Sequence, residues 1–119
     1  MKALRTLVLL AAALCSSAAM AHAVIKQSVP ANGAKLAVAP KEVTITFNEK
    51  VEKMFTSAVL TTAAGATVAT DKATVDSANP AMVRLALPAL PSGAYVVKWT
   101  AVGHDGHRRS GDIGFTVTR

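Results

Sequence analysis

Three histidines carry most of the coordinating chemistry in this sequence: His22, His104 and His107, the last two flanking Asp105 in Gly103-His104-Asp105-Gly106-His107. His22 stands directly after Ala19-Met20-Ala21, the small-x-small pattern that signal peptidase reads, so a cut between Ala21 and His22 makes it the first residue of the mature chain. A free N-terminal histidine offers two nitrogens from one residue. Its α-amine titrates at about 7.7–8.0 and its ring at about 6.5 when unperturbed, so both give up protons near neutral pH to a competing metal. Together they close a chelate ring on one ion. The plainer alternative is an accident of the cleavage position. Asp105 and His107 form a second pair. In an extended segment they point to the same side, roughly 6.5–7 Å apart at the backbone, with Gly106 allowing a bend between them and His104 pointing away. The plainer alternative there is a polar Asp-Gly turn with incidental histidines.

The resulting donor set is one amine nitrogen, two imidazole nitrogens and one carboxylate oxygen, from His22, His107 and Asp105. It suits tetragonal Cu(II), which heads the affinity series for such sites, and one ion per chain is expected. Zn(II) accepts similar ligands, so donor type alone does not separate the two. The only cysteine, Cys15, lies upstream of the cut. The mature chain therefore has neither a disulfide nor a thiolate for a soft metal. Met54 and Met82, the methionines that remain, are isolated, which gives Cu(I) little sulfur. No catalytic nucleophile constellation is present: Ser110 would reach His107 and Asp112 only if a strand folded back on itself. No phosphate-binding glycine loop is present either.

These residues need a scaffold to bring them together. Residues 1–21 read as a signal peptide, with a basic start at Met1-Lys2-Ala3-Leu4-Arg5 and an apolar run from Thr6 to Leu14 that is too short to span a bilayer. Leu14 occupies the place where a lipoprotein signal needs a small residue before its cysteine. Of 119 residues, 98 remain as one domain over 22–119, enough for a core without disulfides. Removing Lys2 and Arg5 from 13 basic residues leaves 11 against 7 acidic ones, a net charge of +4. The basic residues are scattered except for Arg108-Arg109, and few aromatics lie among them, which speaks against nucleic acid as a partner.

Hydrophobicity alternates with period two. It does so in Val43-Thr44-Ile45-Thr46-Phe47, in Tyr95, Val97, Trp99 and Ala101, and in Ile113, Phe115 and Val117, the pattern of half-buried antiparallel strands. Shorter candidates are Val24–Ser28, Ala58–Thr62, Thr67–Thr70 and Val83–Leu87. Turns are expected at Pro30-Ala31-Asn32-Gly33, Ala39-Pro40-Lys41, Ala64-Gly65, Ser77-Ala78-Asn79-Pro80 and Pro88 through Gly93. About seven short strands with frequent turns predict an all-β, immunoglobulin-like Greek-key sandwich. Glu49–Phe55 is expected to make one helical turn at most. Trp99 is expected to plug the core, with Met54 and Met82 as core or edge fillers.

Along nearly its whole mature length the chain resembles the CopC family of periplasmic copper-binding proteins. The resemblance is carried by His22 after the signal, by Ser28-Val29-Pro30, and by Thr46-Phe47-Asn48-Glu49 before Val51-Glu52. It continues from Gly93-Ala94-Tyr95-Val96-Val97-Lys98-Trp99-Thr100-Ala101-Val102 through Asp105-Gly106-His107 to Gly111 and Phe115. It implies a periplasmic, monomeric Cu(II) protein of copper resistance or supply, not inserted in the membrane after cleavage. The implied partner is an inner-membrane copper transporter or another periplasmic copper protein. His22 (amine and ring), Asp105 and His107 are the implied ligands. Glu49 falls where the family often has a glutamate near the site, and His104 where the family usually has a residue that does not coordinate. The stretch Thr61 to Asn79, which in some members is methionine-rich and binds Cu(I), contains no methionine here, so a Cu(II)-only protein is expected. Two other classes compete. One is a small oxidative copper enzyme with an N-terminal histidine, which would need a broad, often aromatic substrate face. The other is a metal-free sandwich module for interactions.

Overall fold

A computed structural model describes residues 24–118. The expected signal peptide over 1–21, and His22 with it, fall outside the described residues. Among those described the chain makes nine strands: β1 (Ile25–Val29), β2 (Ala34–Leu36), β3 (Glu42–Phe47), β4 (Ser57–Thr62), β5 (Thr67–Val68), β6 (Thr74–Val75), β7 (Met82–Ala86), β8 (Gly93–Val102) and β9 (Arg108–Val117). A single 3-10 turn, Lys53–Phe55, follows β3.

The strands form two sheets, one ordered β1-β3-β7-β6 and the other β2-β9-β8-β4-β5. The alternating residues face inward as their period demands. Val43, Ile45 and Phe47 from β3 meet Leu60, Tyr95, Val97, Trp99, Ile113, Phe115 and Val117 from the other sheet, all buried. The Phe47 and Trp99 rings pack edge to face across the two layers, 5.2 Å apart at 65°, an arrangement that aromatic quadrupoles favour. Tyr95 donates its hydroxyl to the Pro91 carbonyl at 2.7 Å. This is the tyrosine corner found in Greek-key sandwiches, in which a buried phenol pins the chain entering its strand.

Three details differ from the sequence expectation. β2 and β6, three and two residues long, are too short to show a period. β2 lies parallel to β9, from Ala34↔Phe115 to Leu36↔Val117, so the sandwich is not wholly antiparallel. Gly33 starts that pairing at φ +84, a region costly for other residues, and donates to the Gly114 carbonyl at 2.7 Å. Finally, Met54 is not a filler. It is 89% exposed, with Phe55 beside it at 58%, because a turn of three residues with no buried member has no inner face to offer.

On the outer face of the four-stranded sheet, Arg84 bridges Asp76 at 3.0 Å and Glu42 at 2.9 Å. The hydrogen bond to Arg84 is the chief reason that the Asp76 carboxyl lies below its ordinary 3.8. A depressed acid stabilises the fold above its unfolded value and ceases to as pH falls through its folded one. Arg84→Ala should therefore lower the thermal midpoint at pH 7 while having no effect well below pH 3.8. Melts at the two pH values check this, and a deficit of equal size at both would contradict it. The effect is small, because the bridge lies at the surface, with the Arg84 side chain 38% and that of Asp76 22% exposed.

Candidate metal centre

β8 and β9 form a ladder of ten pairs, from Gly93↔Val117 to Val102↔Arg108, so the five residues joining them are held at one end of the sandwich. Within that loop Gly103 donates to the His107 carbonyl at 3.0 Å, and Gly106 donates to the Gly103 carbonyl at 2.9 Å. Gly106 sits at φ +84. The segment is therefore a closed turn, not the extended stretch expected from the sequence. Asp105 and His107 still converge, by a different route. One Asp105 oxygen accepts the His107 backbone N–H at 3.0 Å, and the other lies 3.0 Å from His107 Nδ1.

That spacing is chemically useful. Two donors about 2.0 Å from one ion and at right angles to each other stand about 2.8 Å apart. The pair is thus already near the separation of neighbouring ligands in a tetragonal shell. The side chains are 59% exposed for His107 and 25% for Asp105, so an ion arrives from solvent without opening the core. His104 is exposed, and its backbone N–H donates to the Lys50 carbonyl at 3.0 Å. Among the described residues no cluster of three or more histidine, cysteine, aspartate or glutamate side chains has a metal-binding arrangement. The pair therefore needs donors from elsewhere, and His22 lies outside the described residues.

A second carboxylate stands close by. Val51 bridges Gly103, Glu52 N–H donates to the Val102 carbonyl at 2.7 Å, and His104 bonds Lys50. These contacts staple the chain after β3 to the end of β8 and lay the Glu49 carboxylate over Gly103. A Cβ placed on Gly103 would fall on Glu49 Oε1 and come within 3.0 Å of Asp105 Oδ1, so both carboxylates face the same small space. Glu49 Oε1 is buried without a hydrogen-bond partner among the described residues. Buried acceptors are normally satisfied, and two carboxylates in one space repel each other, an interaction that a cation between them reverses. Composition and spacing gave no signal for Glu49; the family resemblance alone singled it out.

Trp99 lies against Gly111 at the same end of the β8–β9 ladder, 9% exposed. A Cβ on Gly111 would lie 2.7 Å from Trp99 Cζ2, so that glycine is required for space. The Trp99 indole N–H is likewise buried without a partner among the described residues. The beginning of β1 lies alongside, with Val24 and Ile25 lining a shallow groove with Trp99, Arg109 and Ser110. Asn48 holds that beginning on two sides. Its Oδ1 accepts the Val24 N–H at 2.8 Å, and its backbone N–H donates to the Val24 carbonyl at 2.9 Å. Asn48 belongs to the stretch Thr46-Phe47-Asn48-Glu49, where neither its type nor its spacing signals this role.

Comparison with known proteins agrees with this fold. Residues 25–118 match the CopC domain. The copper transport protein CutJ of Bacillus subtilis is 38% identical over 98 residues, which are 82% of this chain but 18% of that protein. The chain thus spans less than a fifth of that relative's length. The crystal structure of CopC from Methylosinus trichosporium OB3b superposes with a TM-score of 0.76 at 30% identity, covering 82% of this chain and 94% of that one. PcoC of Escherichia coli, described as a methionine-rich copper resistance protein, superposes at 0.72 with 32% identity, covering 82% and 100%. These relatives are named for copper transport and resistance, not as enzymes. The match runs from the first residue of β1 past the last of β9, and the chain belongs to the CopC family.

Proposed function

We propose that this chain is an exported Cu(II) carrier, mature from His22 to Arg119 after loss of a signal peptide over 1–21, that sequesters or delivers one copper ion in the periplasm. The amine and ring of His22, the ring of His107 and the carboxylate of Asp105 hold the ion, with Glu49 as a nearby negative charge. The observation that carries this reading is the Asp105–His107 pair, 3.0 Å apart and facing the same space as the unpartnered oxygen of Glu49. Hard and borderline donors without sulfur favour Cu(II). The stretch from Thr61 to Asn79 contains no methionine, whereas PcoC is described as methionine-rich, so thioether donors of the kind that Cu(I) prefers are scarce here. The ion is cargo, passed to or from an inner-membrane copper transporter or another periplasmic copper protein. The CutJ relative supports the first partner, since there the matching domain is one part of a longer copper transport protein. Among the described residues no helix is long and apolar enough to cross a membrane. Phe47, Tyr95, Trp99 and Phe115 are buried in the core, which leaves little aromatic surface for a polysaccharide-oxidising enzyme.

Chelator competition for Cu(II) on the mature protein tests the ligand ranking. Asp105→Ala should weaken binding by at least about 10–100-fold, since even carboxylates that only support a ligand are worth that much, and His22→Ala by more. Equal losses for the two would contradict the assignment, and unchanged affinity in both would remove it.

A further inference from the structure

The ladder between β1 and β3 is irregular at the end nearest the candidate centre. Ile25 pairs with Phe47 and Gln27 with Thr46, so Lys26 is an extra residue in the run. A bulge of this kind bends its strand and loosens the local pairing, so regular strand pairing alone does not aim the chain upstream of Ile25. Asn48 supplies what the ladder lacks. Its side-chain carbonyl accepts the Val24 N–H at 2.8 Å while its own backbone N–H donates to the Val24 carbonyl at 2.9 Å. The next residue is Glu49, whose carboxylate lies on Gly103 beside Asp105. The clamp therefore joins the start of β1 to the wall of the candidate centre. His22 is two residues upstream of Val24, and two residues of chain reach at most about 7 Å.

We propose that Asn48 is a positioning residue for the cargo ion. Its side-chain amide fixes the Val24 backbone and so holds the terminal histidine within reach of Asp105 and His107. This rests on the reading of His22 as a ligand. Asn48 need not touch the ion. It acts by lowering the conformational freedom that the terminus loses when it closes on copper, the usual gain from preorganisation.

The test compares Asn48→Ala in two backgrounds, the mature protein starting at His22 and the same protein with one extra alanine ahead of it. Cu(II) affinity is read by chelator competition. In the mature background the substitution should weaken binding by about three- to tenfold, the worth of one hydrogen bond. In the extended background it should change nothing, because the terminus no longer contributes. Equal weakening in both backgrounds would overturn the proposal, since Asn48 would then act through the fold. No weakening in the mature protein, where the extra alanine itself costs affinity, would overturn the clamp and leave His22 as a ligand. An extra alanine without effect would remove His22 as a ligand and the clamp with it. A metal-independent readout accompanies these. In the apo protein Asn48→Ala should accelerate hydrogen exchange at the Val24 amide, while Asn48→Asp, which keeps the acceptor, should restore protection. Unchanged exchange in Asn48→Ala would also overturn the proposal.

Discussion

One alanine inserted ahead of His22 should weaken Cu(II) binding to the mature protein by orders of magnitude. The insertion leaves every side chain in place and changes a single functional group, the α-amine of His22, into a peptide nitrogen. An amine with an unperturbed pKa of about 7.7–8.0 yields its lone pair to a metal near neutral pH. A peptide nitrogen, its lone pair delocalised into the carbonyl, does not do so readily. The chelate ring between amine and imidazole is lost, and the new amine stands one residue farther from Asp105 and His107. Loss of protons must precede binding, so affinity in the unextended protein should also fall as pH drops below about 6. Chelator competition on the two proteins decides the matter. Equal binding would mean that the terminus is irrelevant and that the site must be rebuilt around His104, Asp105 and His107. Weak binding by both would mean that the chain keeps the CopC fold without its cargo.

The size of that effect depends on how the fold prepares the rest of the site, and the sequence shows this unevenly. Val43, Ile45 and Phe47, Tyr95 through Ala101, and Ile113 through Val117 were legible as buried faces because a sandwich imposes period two on strands long enough to display it. β2 and β6 were not, since two or three residues carry no period, and β2 is defined by long-range pairing with β9. Asp105 and His107 were legible as a pair by spacing. The reason for their convergence was not: an extended segment brings i and i+2 to one side, whereas here Asp105 closes a turn onto the backbone and ring of His107. Met54 was misplaced because hydrophobicity alone does not say whether a short turn has anything to pack against. Asn48 and Glu49 depend on partners far along the chain, at Val24 and Gly103, and no local pattern reports such contacts.

Gly103 has the second large consequence. It is buried, and its φ lies outside the left-handed region, so its demand is for space rather than for backbone freedom. A methyl there would fall on Glu49 Oε1 and crowd Glu49 Cδ at 3.2 Å and Asp105 Oδ1 at 3.0 Å. The backbone cannot easily yield, because Gly103 is held by the bridge to Val51 and by hydrogen bonds with His107 and Gly106. In Gly103→Ala the Glu49 carboxylate must therefore swing towards solvent. Overpacking ordinarily costs about 1–3 kcal/mol, but freeing a buried, unpartnered carboxylate oxygen recovers a similar amount, about 1–3 kcal/mol. The thermal midpoint should consequently move little, while Cu(II) affinity falls by about 10–100-fold as the supporting negative charge leaves. Glu49→Gln is the companion variant. It keeps the side chain's shape and removes its charge, so it should lose affinity on the same scale with the apo protein at least as stable as the parent. If Gly103→Ala loses affinity and Glu49→Gln does not, the glycine serves the turn that holds Asp105 and His107, and the charge of Glu49 is not used. If both bind copper as the parent does, the shared space of the two carboxylates lies outside the site, and the ion is held by His22, Asp105 and His107 alone.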